Sequence, residues 1–117
     1  MTFVKGSKKD LKTLFLFTLL YIIILFVFNA WKYYTNKYNV LDLAIFNQVF
    51  WNLTHGNGLY SSIQQNIYFG DHAEFFIFLL YPVYKLLPHP LTLLTLQTIG
   101  LASAAFPIYY LTQLIFS

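Results

Sequence analysis

The chain has 117 residues, 58% hydrophobic, 21% aromatic and only 9% charged. A soluble domain carries about 25% charged residues, so too little polar surface remains here to coat a water-soluble globule, and the composition is that of a membrane protein. The net charge is +3, every Lys/Arg position is a lysine, and cysteine is absent, which excludes disulfides and thiolate metal sites.

Taken in order, residues 1–12 form a basic head with Lys5, Lys8, Lys9 and Lys12. Residues 13–30 follow as the first span, apolar from 14 to 28 apart from Thr18 and the Tyr21 hydroxyl. Such a run makes about 27 Å of helix, close to the thickness of a bilayer core. The four lysines before it, against Lys32 and Lys37 after it, predict a cytoplasmic N-terminus in the cell membrane. A cleaved signal peptide would need small residues before the cut, and Phe28-Asn29-Ala30 puts a bulky Phe there, so the run reads as an uncleaved anchor. Trp31, Tyr33, Tyr34 and Tyr38 then form an interfacial aromatic belt.

Residues 31–70 are predicted to be an extracytoplasmic loop. Within it, residues 41–54 lack Gly and Pro and read as an amphipathic helix, with Leu43, Phe46, Phe50 and Leu53 on one side and Gln48 and Asn52 on another. His55-Gly56-Asn57-Gly58 should stop that helix, because Gly and Asn accept the left-handed conformation of a helix end. Residues 59–69 read as irregular or extended. Residues 71–87 are expected to be a short second span, kinked at Pro82 and returning to the cytoplasm at Lys85. Pro88-His89-Pro90 is a tight connection, with Pro90 suited to a first helical turn. Residues 91–116 are predicted to be a third span heading outward, with Gly100, Ser103, Ala104 and Ala105 as a close-packing patch and Pro107 as a kink. The fold class is therefore an all-α membrane protein of about three transmembrane helices. The chain reads as the N-terminal part of something longer.

Chemistry concentrates in the polar stretch between residues 39 and 74, which holds Asp42, Asp71, Glu74, His55 and His72. Asp42, just beyond the first span, suits a general base toward a hydroxyl or an oxygen ligand to a divalent cation. It equally suits the N-cap of a helix beginning at Leu43. Asp71-His72-Ala73-Glu74 offers three polar side chains for a metal or a substrate. It also has the pattern of a capping box, which accounts for Asp71 and Glu74 but leaves His72 without a task. His55 reads as a helix-end residue. Asn52-Leu53-Thr54 matches a glycosylation triplet but falls inside the expected helix. Phe46, Phe50 and Trp51 suit stacking on a sugar, contact with a lipid chain, or plain burial. No Gly-rich phosphate loop, nucleophile elbow or HExxH motif occurs. The lysines line the edges of apolar runs rather than one face of a module, so no nucleic-acid partner is expected.

Several of these residues together carry a resemblance. Asp42-Leu43-Ala44-Ile45-Phe46-Asn47-Gln48, Trp51-Asn52, His55-Gly56, Gly58-Leu59-Tyr60, Gly70-Asp71-His72 and Pro88-His89-Pro90-Leu91-Thr92-Leu93-Leu94 with Gln97 resemble the N-terminal region of a bacterial and archaeal family. Its members are polytopic predicted membrane proteins with a domain of unknown function. That family is similar in layout to the C-type glycosyltransferases, which use polyprenyl-phosphate sugars. In those enzymes a first span is followed by a large external loop with helices lying along the membrane. The resemblance implies the start of such a fold and transfer of a sugar from a lipid-phosphate donor to an extracytoplasmic acceptor. It makes Asp42 the base, and gives the donor phosphate to Asp71 and His72, with Mg²⁺ or Mn²⁺ as a possible cofactor. Gln48 and Asn52 would hydrogen-bond the sugar. Membrane lipid and the remaining spans of a longer chain, or a membrane partner, complete the expected environment. Many such enzymes carry two adjacent acids, whereas Asp42 is followed by Leu43, and Asn47 stands where a second Asp is expected. The rival reading is a small non-enzymatic membrane subunit or scaffold. A transporter ranks third, because no charged residue lies mid-span.

Overall fold

The computed structural model describes residues 8–38, 41–68 and 75–116. Helix α1 runs over Lys8–Tyr34 and buries none of its residues. It outruns the expected 13–30 at both ends, because neither Gly nor Pro stops it. Its 27 residues make about 40 Å of helix, more than the ~30 Å hydrocarbon core. Trp31, Tyr33 and Tyr34 are thus the last turn of the helix rather than a segment after it.

The stop comes at Asn36, whose φ of 53° is left-handed. Its N–H donates to Tyr33 O at 3.2 Å, and the Lys37 N–H donates to Lys32 O at 2.9 Å. This pair of bonds is a Schellman closure, and Asn is one of the few side chains that tolerate its backbone.

Helix α2 spans Leu41–Thr54, with the bounds expected. It ends by the same device. Gly56 has φ 77°, and the Asn57 N–H returns to Asn52 O at 2.9 Å. Leu43, Ile45, Val49, Phe50 and Asn52 are buried on α2, while Phe46 and Leu53 are half-buried against the same core. Next comes a small antiparallel hairpin, β1 (Tyr60–Ser61) and β2 (Asn66–Ile67), pairing Tyr60 with Ile67 and Ser61 with Asn66. It falls in the stretch that the sequence pattern reads as irregular or extended.

Helix α3 covers Phe76–Leu86 and continues through Pro82. Ile77 and Tyr84 are buried, and Leu80 and Tyr81 complete an inner stripe. Its outer stripe, Phe76, Leu79, Val83 and Leu86, is exposed. Helix α4 (Pro90–Ser103) opens with Pro90 in its first turn and His89 as N-cap, whose ring nitrogen accepts the Leu91 N–H at 3.1 Å. The helical path breaks at Ala104 and resumes as α5 (Ala105–Phe116). Pro107 explains the break. It has no N–H to give the Ser103 carbonyl, and its ring crowds that oxygen.

Helices α1 and α4–α5 lie side by side and antiparallel. The Tyr33 and His89 rings meet at 5.5 Å, and Asn29 Nδ2 donates to Thr98 Oγ1 at 3.4 Å. Farther along, Phe15, Thr18, Leu19 and Ile22 share a crevice of about 150 Å³ with Ile99, Ser103 and Phe106. The buried residues of α4 are Leu94, Thr98 and Ala102. Of the expected packing patch, Gly100 faces open space while Ser103 lines the crevice against α1; Ala102, outside that patch, is the buried small residue of α4.

Among the described residues two helices are long and apolar enough to cross a membrane, Lys8–Tyr34 and Pro90–Phe116, where the sequence pattern predicts three. The expected second span is represented by α3, whose 11 residues make about 16 Å, half a hydrocarbon core. Residues 71–74, the start of that span, lie outside the described residues. Moreover, His89 sits at the end of α1 that carries Tyr33. Helix α3 therefore delivers the chain back to the end from which α2 started, and α4–α5 runs opposite to the expected direction. Helices α2 and α3 and the hairpin form one lateral cap at that end, with Leu93 of α4 packed against their core.

Candidate functional site

Polar side chains converge on α2 and the hairpin beneath it. Asp42 lies in the first turn of α2, exposed, in a helix that already begins at Leu41. It is therefore not the N-cap of a helix starting at Leu43. Its carboxylate accepts no hydrogen bond and pairs with no cation among the described residues. Helical spacing puts it on the side of Ile45, Phe46 and Val49, beyond the end of the core they form. The dipole of α2 favours a negative charge there.

Gln48 and Asn52 come together, as their spacing requires, and both engage the hairpin. Gln48 Oε1 accepts from Ser62 N at 3.0 Å and from Ser61 Oγ at 3.2 Å. Its Nε2 donates to Ser62 Oγ at 2.6 Å. Asn52, buried, donates from Nδ2 to Tyr60 O at 2.7 Å. A carbonyl in a two-stranded hairpin has few backbone partners, and these side chains supply the missing ones. Gln48 is displaced from Asp42 by about 9 Å along the helix axis and ~120° around it. The structure therefore groups Gln48 with Asn52 and leaves Asp42 on a different face.

Asn47, noted in the sequence only as standing in place of an Asp, and Tyr84, which the sequence reading did not single out, also take part. Asn47 Oδ1 accepts from the Tyr84 hydroxyl at 2.7 Å, and the Tyr84 ring packs on Phe50 at 5.1 Å. The signal was present in the spacing of Ile77, Leu80, Tyr81 and Tyr84, which marks one inward helical stripe. One turn along α2 from Asn47 the Trp51 and His55 rings stack at 3.9 Å. His55 Nδ1 lies 2.8 Å from Trp51 O, which fits its expected place at the helix end.

Asp71, His72 and Glu74 lie outside the described residues, between Tyr68 and Phe75. Among the described residues no group of three His, Cys, Asp or Glu side chains gathers as a metal site. Asp42 alone offers one carboxylate, fewer ligands than the six or more oxygens a hard divalent cation takes.

A family model described as "Predicted membrane protein (DUF2079)" matches residues 32–117. No curated protein and no solved structure matches the chain.

Proposed function

On the premise that this chain belongs to the DUF2079 family of predicted membrane proteins, we propose that it is the front part of a glycosyltransferase-like membrane protein acting on lipid-linked sugars. The layout supports this reading: a first span, a cap of two helices and a hairpin at one end, and a second long helix running back. In this arrangement α1 leaves the cytoplasm, the cap lies outside the cell membrane, and α4–α5 returns. The four lysines of the N-terminal head set that orientation.

The observation that carries the reading is Asp42. A carboxylate with no bonding partner among the described residues, placed shortly after the first span, is available to take the proton of an acceptor hydroxyl. Gln48 spends one of its two amide hydrogens on Ser62 and keeps the other for a sugar hydroxyl. Asn52 acts through the hairpin it holds. Asp71 and His72 would meet the donor phosphate, with Glu74 beside them, and Mg²⁺ or Mn²⁺ would neutralise phosphate charge if those three residues held it.

Membranes carrying the protein, supplied with a polyprenyl-phosphate sugar labelled in the sugar, test the reading. Asp42→Asn should abolish transfer while leaving the helical circular-dichroism signal unchanged. Retention of transfer would remove the base. A second reading, a membrane subunit whose cap docks a partner, draws on one observation: the polar side chains of Gln48 and Asn52 are already occupied by the chain's own hairpin. Absence of transfer in the unaltered protein, with co-purification of a membrane partner through the cap, would favour it.

A further inference from the structure

We propose that the closing turn of α1 is a binding site for a lipid-borne phosphate, built from Lys32, Lys37, Asn36 and the tyrosines around them. The Schellman closure at Asn36 turns the chain back on the helix it ends. That reversal lays the Lys37 ammonium 4.7 Å over the Trp31 ring. It also brings the Tyr38 ring to 4.8 Å from the Lys32 ammonium, which lies 5.6 Å from Phe28 on its other side. Two cations are thus held by aromatic faces. Neither forms an ion pair with a carboxylate among the described residues.

Beside them is an open pocket of about 350 Å³ lined by Tyr33, Tyr34, Asn36 and Tyr38. Three tyrosines and an asparagine line it, residue types whose hydroxyl and amide groups donate to phosphate oxygens. At roughly 30 Å³ per water, the pocket has room for a hydrated headgroup. Its place at the end of a long apolar helix is the depth at which lipid phosphates lie. Cations, hydroxyl donors and depth together select a phosphate carried on a lipid, from a phospholipid or a polyprenyl phosphate. The inference needs α1 in a membrane but not the sugar-transfer reading, which the Asp42→Asn experiment tests separately.

Trp31 is its own reporter. In a Trp51→Phe background, the full chain in phosphatidylcholine nanodiscs would be titrated with phosphatidylglycerol, with polyprenyl phosphate, or with inorganic phosphate in the buffer. A saturable Trp31 fluorescence change is expected with one or both lipids. The double variant Lys32→Gln/Lys37→Gln should weaken it at least tenfold, while Lys32→Arg/Lys37→Arg and, on α3, Lys85→Gln should leave it within twofold. An equal response in the glutamine variant, or an equal loss on Lys85→Gln, would overturn the site as non-specific charge attraction. A response to inorganic phosphate at the same concentrations as the lipids would overturn the lipid assignment.

Discussion

Asn52 joins α2 to the hairpin from a buried position. Its amide is a hydrogen-bond donor to Tyr60 O. Asn52→Ala leaves that carbonyl unpaired and opens a small cavity, at a cost of about 1–3 kcal/mol. Tyr84→Phe deletes only the hydroxyl given to Asn47, a loss of about 1 kcal/mol. Chemical unfolding in mild detergent, followed by tryptophan fluorescence, should rank the two variants in that order. Equal stability of Asn52→Ala and the unaltered protein would show that the hairpin is not anchored by this bond. At this scale the sequence was partly legible. The four-residue spacing of Gln48 and Asn52 declared that they act together, yet not that their partner is the chain's own backbone. That partner lies eight or more residues away, across a hairpin that no periodicity announces. The Asn47–Tyr84 bond joins residues 37 apart in the chain, and nothing local predicts it.

The ends of the elements follow from single backbone positions. Asn36 holds a left-handed conformation that β-branched residues resist. Asn36→Gly should therefore leave the end of α1 intact. Asn36→Val should cost about 1–2 kcal/mol per the left-handed penalty and release Lys37 from Trp31. The fluorescence of Trp31 should shift in the valine variant and stay unchanged in the glycine variant, and a shift in neither would deny the turn its role. Stops of this kind are written in residue types, which is why the bounds of α2 and the Pro90 start of α4 were readable. For helix α3 the expectation of a span rests on hydropathy. Both of its faces are apolar, the inner stripe against α2 and the outer stripe exposed, so hydropathy alone gives the appearance of a span. The 11 residues of α3 are shorter than a bilayer core, and residues 71–74 of the expected span lie outside the described residues.

For the whole molecule, the antiparallel pair makes a prediction that the three-span order does not share. If α4–α5 runs back along α1, Ser62 in the hairpin and Pro88 before α4 lie on one side of the membrane, and Lys8 lies on the other. The chain has no native cysteine, so Ser62→Cys, Pro88→Cys and Lys8→Cys are each a single label site. An impermeant maleimide applied to intact cells should modify the first two and spare the third. Protection of Pro88→Cys alongside Lys8→Cys would restore the three-span order. Composition was enough to place the chain in a membrane, and the lysines of the head gave a direction to α1. The pairing of α1 with α4–α5 was not legible, because its few specific contacts, Asn29 with Thr98 and Tyr33 with His89, are long-range.

The all-round apolar surface of α1 has a consequence in time. About 55 residues separate Tyr34 from Pro90, and at roughly 5–20 residues per second a ribosome needs some 3–11 s to make them. For that interval α1 stands in lipid without its partner helix. It is built to do so: no charge lies along its middle, and the Thr18 hydroxyl is satisfied internally by Leu14 O at 2.9 Å. The one amide that later reaches across, that of Asn29, sits about 7–8 Å from the Tyr34 end, within reach of interfacial water until Thr98 has been synthesised. The order of synthesis and the placement of polar groups along this helix thus agree. The half of the hairpin made first carries nothing that needs the second half in order to survive.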